Sequence, residues 1–200
     1  LYKTMEQLIA EKNCKFLTDE ERAVGEKPIV RKGYDLEPII LEKAERELER
    51  LGKLGFLFKP QNMYKFKKVD GLSVNYDGVF LEEDKKFIPV EAKLVSKYGE
   101  KYYNKDVSIR EAHAIPMHVE DEDLAKHIKR KALKFGIPAY YYTQVQQEIA
   151  GLDAPYGYLA AMFDDSWTFK VFYIPRDEYV INKIYELCRV HRVKIERDTK

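Results

Sequence analysis

Three side chains in the stretch DGVFLEEDKKFIPVEAKLV, residues 77–95, carry the most chemistry: Asp77, Glu91 and Lys93. Alternation along a strand sends Ile88, Val90, Ala92 and Leu94 to one face, and Glu91 and Lys93 to the other. If EEDKK is the hairpin loop, the pairing is centred on Asp84 and Asp77 falls opposite Glu91. Directly opposed strand residues have Cβ atoms roughly 4.5–5.5 Å apart, so two carboxylates there repel unless positive charge lies between them. A hard divalent cation such as Mg²⁺ takes carboxylate oxygens and keeps several waters. Lys93, on the same face, could orient or deprotonate a metal-bound water or stabilise a phosphoryl oxygen. This is the donor set of a hydrolytic metal site. A plain alternative stands beside it, in which Lys93 forms only a salt bridge with Glu91 in a charged hairpin.

The elements that must position these residues follow from periodicity. Met5, Leu8, Ile9 and Ala10 sit at helical spacing in residues 1–13, and a polar, loop-like stretch then runs to Gly33. Ile40, Leu41, Ala44, Leu48 and Leu51 recur at three- and four-residue steps, which predicts a helix over 36–51 with Asp35 as its cap and Pro38 in its first turn. Strands are predicted at 63–68, 72–81 and 87–95, an extended loop at 96–117, and helices at 120–135 and 140–149, the second ended by Gly151. YGYLAAMF and WTFKVFYI form a second hairpin across DDS, and a closing amphipathic helix covers 176–193. The fold class is mixed α/β, a single domain over 1–200 with an N-terminal helix and loop at 1–33 and a core at 34–195.

Composition narrows the partners. Basic and acidic residues number 35 and 34, so no global field draws the chain to DNA or to anionic lipid, and any nucleic-acid contact must come from local patches. No run approaches the roughly 18 apolar residues of a membrane span, so a soluble, cytoplasmic protein without a membrane partner is expected. Cys14 and Cys188 form no metal-binding pair. His113 and His118 lie five apart without a carboxylate cluster, and the bland reading is preferred for both.

The order of motifs adds to this. Gly33-x-x-x-Glu37 at the start of a helix, then Asp77-Gly78, then Glu91-x-Lys93, then Gln144-Val-Gln146 on a later helix resembles the lambda exonuclease and YqaJ-type viral recombinase branch of the PD-(D/E)xK nucleases. The resemblance runs from about Gly33 to the last helix and includes YIPRDEYV. It implies a restriction-endonuclease-like core: a central mixed sheet flanked by helices. Carried over to this sequence, it makes Asp77 and Glu91 the central metal ligands, with the Ala92 backbone oxygen added and Glu37 the helix carboxylate near the metals. Lys93 becomes the catalytic lysine, and Gln144 the glutamine that places the scissile phosphate or the lysine. The cofactor implied is one or two Mg²⁺ ions, with Mn²⁺ substituting.

The same resemblance implies an exonuclease acting on double-stranded DNA ends, 5′ to 3′, in phage-type recombination. A single-strand annealing protein would be its partner and a ring of three subunits its assembly. The chain departs from the family before Asp77, where Asn75-Tyr76 replaces the commoner proline, and it has no recognisable serine-bearing N-terminal segment. Tyr141, Gln146, Lys129 and Arg130 are the candidate DNA contacts; core packing is the competing reading for Tyr141, and a solvated helix face for the two cations. An endonuclease of the same fold and a non-catalytic binding protein remain open as alternatives. The iron-sulfur exonucleases of the superfamily need four clustered cysteines that this chain lacks.

Overall fold

The computed structural model describes residues 27–62, 64–66, 69, 72–103 and 121–198. The helix expected at 1–13, most of the polar stretch after it, the bulk of the loop at 104–117, and His113 and His118 lie outside the described residues.

The first helix, α1, spans Pro28–Arg50 and starts earlier than its apolar spacing predicts. Pro28 opens it, in a turn whose N–H groups have no intrahelical acceptor anyway. The expected cap, Asp35, and Pro38 are therefore interior. Pro38 removes one backbone donor, but it and Tyr34, whose carbonyl loses that donor, are both exposed to water. Ile40, Leu41, Ala44 and Leu48 form the buried stripe of this helix.

A five-stranded sheet runs in the order β1-β4-β5-β6-β7. Its strands are β1 (Gly55–Phe58), β4 (Gly78–Glu82), β5 (Phe87–Val95), β6 (Tyr156–Phe163) and β7 (Phe169–Pro175). A two-stranded ribbon, β2 (Tyr64–Lys65) with β3 (Ser73–Val74), stands apart from it. β1 is not predicted by the sequence pattern, because Gly52 and Gly55 read there as the close of a helix and only four residues follow. The strand expected at 72–81 breaks into β3 and β4 at Asn75–Asp77. That break ends the β4 ladder at Gly78 and frees Asp77 from it.

The β4–β5 hairpin has the expected centre. Gly78 pairs with Val90 and Phe80 with Ile88, a register symmetric about Asp84. The loop is tighter than five residues: Glu82 is still in the strand, its N–H donates to Lys86 O at 3.0 Å, and Lys85 takes φ 66°, the left-handed residue of a three-residue hairpin. β5 then pairs in parallel with β6 from Val90 onward. Pro89 is tolerated in so central a strand because it stands just before that ladder begins.

A parallel pair needs a long crossover, and here it passes through a short helix, α2 (Lys97–Glu100), the turn Lys101–Tyr103, α3 (Glu122–Phe135) and α4 (Ala139–Leu152). Asp121 caps α3 by accepting from Leu124 N–H, and Gly136, at φ 71°, ends it. The last helix, α5, spans Glu178–Asp198. The two faces of the sheet bury separate cores. α1 packs on Ile88, Val90, Ala92, Ala160 and Met162. α3, α4 and α5 pack on the opposite face, against Val79, Val95, Leu159, Ala161 and Phe163. Glu91 and Lys93 belong to that second face, beneath α4.

Helix α4 does not end at Gly151 but runs through it. A Cβ at position 151 would lie 2.2 Å from the Tyr76 hydroxyl, so the glycine clears space for that ring rather than terminating the helix. Tyr76 uses the space to donate a hydrogen bond to the Glu148 main-chain carbonyl at 3.2 Å. One tyrosine thus ties α4 to the chain immediately before Asp77.

Candidate active site

Strand alternation, a broken ladder and one helical turn bring five polar side chains together. Beyond Gly78 the β4 ladder stops, so the edge of β5 at Ala92 has no strand opposite it. Asp77 fills part of the vacancy, its Oδ2 accepting the Ala92 N–H at 3.0 Å. The N–H and C=O of one residue point to the same edge of a strand, so the Ala92 carbonyl emerges on the side that Asp77 occupies.

Glu91 is 1% exposed, and its Oε1 accepts from both Lys93 Nζ and Gln144 Nε2. Lys93 Nζ also lies 3.7 Å from Asp77 Oδ2 and 5.4 Å from the centre of the Tyr141 ring. Burial disfavours its ammonium form, yet the charges of Glu91 and Asp77 outweigh that and hold the amine above its ordinary range. Lys93 is therefore a fixed cation at neutral pH, suited to charge stabilisation rather than to taking up a proton.

Behind Glu91 lies an acid that the sequence reading did not single out. Glu148, also 1% exposed, stands one turn after Gln144 on α4, and Gln144 Nε2 approaches its Oε1 at 3.4 Å. Burial, then the nearby Glu91 charge, pushes the Glu148 carboxyl well above the usual carboxylate range. Glu91 is raised too, chiefly by burial, although the neighbouring Glu148 side chain and the Lys93 charge pull against it. Among the described residues, Oε2 of each acid has no hydrogen-bond partner.

Glu37, on α1, is held by Lys59 at the end of β1. The hydrogen bond to Glu37 raises the Lys59 amine, burial opposes this, and the charges of Glu37 and then Asp77 add to the rise. Lys59 thus links the helix carboxylate electrostatically to Asp77. No direct bond joins Glu37 to Glu91 or Asp77 among the described residues. Both Lys59 and Glu148 lay outside the recognised motifs. The signal for Glu148 was its four-residue spacing from Gln144; for Lys59 there was none, because β1 itself was not legible.

The expected DNA contacts divide. Tyr141 packs against the α3–α5 core, 6.3 Å ring to ring from Tyr103, while also facing Lys93. Gln146 is corrected: it is fully buried, its Nε2 donates to Pro175 O at 2.8 Å and its Oε1 accepts the Asp177 N–H at 2.8 Å. Both ends of its amide are spent inside the fold, which leaves nothing to offer a nucleic acid. Lys129 and Arg130 lie on α3, where Arg130 reaches His127 rather than Glu91 or Lys93.

Glu91 Oε2 is buried and unpartnered, Asp77 and the Ala92 carbonyl share the open edge of β5, and all are the hard oxygens that Mg²⁺ prefers. The residues fit. Among the described residues, however, no three His, Cys, Asp or Glu side chains already converge as a metal cage. Lys93 is the cation now seated between Asp77 and Glu91.

Neither a family profile nor a characterised protein matches the sequence. Solved structures do. The chain is similar to an alkaline exonuclease, LHK-Exo, from Laribacter hongkongensis, at 16% identity and TM-score 0.55, covering 97% of this chain and 78% of that one. The same exonuclease in complex with dAMP gives 15% identity and TM-score 0.57 over the same shares. The likeness bears out the architecture expected for the chain, a mixed central sheet flanked by helices. Among the described residues, no helix is long and apolar enough to cross a membrane.

Proposed function

We propose that the chain is a Mg²⁺-dependent deoxyribonuclease that hydrolyses phosphodiesters at the ends of double-stranded DNA. The observation that carries this reading is the convergence of Asp77, Glu91, Lys93 and Gln144 at the point where the β4 ladder stops. The fold shared with an alkaline exonuclease, and the dAMP bound to that neighbour, support DNA as substrate and a mononucleotide as product.

In this reading Asp77, Glu91 and the Ala92 carbonyl hold one or two Mg²⁺ ions, or Mn²⁺ in their place, with Glu37 contributing from α1. The ion supplies Lewis acidity at the phosphodiester and lowers the pKa of a bound water. Lys93, kept cationic by its two acids, stabilises charge developing on the phosphoryl oxygens. Gln144 aligns Glu91 and the scissile group. In-line displacement of the 3′ oxygen leaves a 5′ phosphate. Digestion from 5′ to 3′, a role in phage-type recombination beside a single-strand annealing protein, and a ring of three subunits belong to the same proposal.

Linear duplex labelled separately at each end, incubated with Mg²⁺ beside a covalently closed circle, tests it. Stepwise loss from the 5′ end with the circle intact is the expected result. Cleavage of the circle would make the chain an endonuclease of this fold, and no hydrolysis of either would make it a binding protein.

A further inference from the structure

Glu148 is chemically out of place. A fully buried acid with an oxygen that has no partner among the described residues is costly relative to a satisfied group, and an apolar side chain of similar volume would pack there without that cost. Its position is nevertheless strongly constrained. The main chain of Glu148 is tied by Tyr76 to the segment leading into Asp77, and Gly151 is kept bare to admit that tyrosine. Its side chain faces Glu91, while its Oε1 receives the second N–H of the Gln144 amide.

Gln144 is exposed, with three freely rotating bonds and an amide whose two ends differ only in polarity. With an acceptor on each side, Glu91 Oε1 and Glu148 Oε1, only the NH₂ end can point inward; a flipped amide would set its own oxygen against two others. Glu91 Oε1 in turn is held by that same Gln144 amide and by Lys93, so Glu148 acts on Glu91 through Gln144. We propose that Glu148 is a positioning residue of the metal centre, holding the orientation of the Gln144 amide and the rotamer of Glu91 so that Glu91 Oε2 stays directed at the cation. This rests on the nuclease reading above, and it adds a residue to the site that the sequence motifs do not contain.

The experiment compares Mn²⁺ binding by calorimetry in the full chain, the wild type beside Asp77→Ala, Glu148→Leu and Glu148→Gln, with thermal midpoints recorded for each. Groups that orient metal ligands typically contribute ten- to a hundredfold in affinity. Glu148→Leu should therefore bind Mn²⁺ roughly tenfold more weakly or worse, with a midpoint equal to or above wild type. Glu148→Gln should recover most of the loss, because its carbonyl still accepts from Gln144. Wild-type affinity in Glu148→Leu would overturn the proposal. Equal weakness of the leucine and glutamine variants would overturn it as well, since it would make Glu148 a ligand rather than a support. If the wild type binds no Mn²⁺, or Asp77→Ala binds as well as wild type, the metal-site reading fails instead. If Asp77→Ala alone loses binding, only the assignment of Glu148 fails.

Discussion

Gln144 and Gln146 stand two residues apart on α4, and the polar clusters they enter are built in opposite ways. Around Gln146 the named bonds close on one another. Pro175 and Asp177 take both ends of its amide, and the Asp177 carboxylate accepts from the Tyr142 hydroxyl at 2.8 Å, from Val180 N–H at 3.4 Å and lies 2.8 Å from His127 Nε2. Around Gln144 the acids Glu91 and Glu148 each keep an oxygen without a partner among the described residues. Unpaired buried polar atoms are uncommon in folded proteins because each is costly. The closed cluster secures the β7–α5 corner, whereas the open one leaves carboxylate oxygens unsatisfied among the described residues.

That contrast is most severely tested by Lys93→Ala. If the open cluster serves chemistry, the variant still folds, at a cost in stability because Glu91 and Asp77 lose the cation between them, and loses about 10³-fold in kcat, the scale seen when a group stabilising transition-state charge is removed. Single-turnover assays on linear duplex, with urea unfolding run alongside, separate the two quantities. Retained activity would return Lys93 to the plain salt-bridge reading of the hairpin.

The register of that hairpin was legible because it needs only local information: turn residues at its tip and alternation on either side. The face carrying Glu91 and Lys93 followed directly from it. The same holds for the spacing of α3, α4 and α5, whose apolar residues recur with the helical period. What the sequence concealed is tertiary in origin. β1 is a short edge strand that exists only because β4 pairs with it, and α1 extends through Pro38 because that residue is exposed, where the lost backbone bond is made good by water. Glu148 was not singled out on its helix; its setting depends on Tyr76 and Gly151, which meet only in the folded chain. Gln146 was misassigned for the converse reason, as its partners at Pro175 and Asp177 lie about thirty residues away.

The closed cluster makes the complementary prediction, smaller in magnitude and opposite in kind. Asp177→Ala removes the acceptor for Tyr142 and His127 and the cap of α5, and should lower unfolding free energy by about 3 kcal/mol, the sum expected for a lost cap and newly unpaired buried donors. Turnover per folded molecule should stay within twofold. Burial works to raise the Asp177 carboxyl, but the bonds from His127, Tyr142 and Val180 win and place it below the usual aspartate range. A carboxyl depressed in the folded state stabilises above its unfolded pKa and loses that contribution as pH falls through the folded value. The gap between wild type and variant should accordingly close in acid. A gap that stays constant from neutral pH down to the acid transition would locate the effect in packing rather than in the charged network.

Glu37 belongs to neither cluster, and this makes it the finest probe of the difference between them. It is an acid within electrostatic range of Asp77 only through Lys59, whose amine is itself mostly exposed. Exposed or half-exposed ion pairs contribute about 0–1 kcal/mol, so Glu37→Gln should leave the urea midpoint almost unmoved. If Glu37 serves the open cluster, kcat should fall by about three- to tenfold at limiting Mg²⁺ and recover as the metal is raised. Lys59→Ala then decides the direction of the link. Should Lys59 compete with the cation for Glu37 and Asp77, its removal lowers the Mg²⁺ concentration needed for half-maximal rate; should it instead orient Glu37, that concentration rises. An unchanged Mg²⁺ dependence in both variants would take α1 out of the site and leave the sheet and α4 as its whole frame.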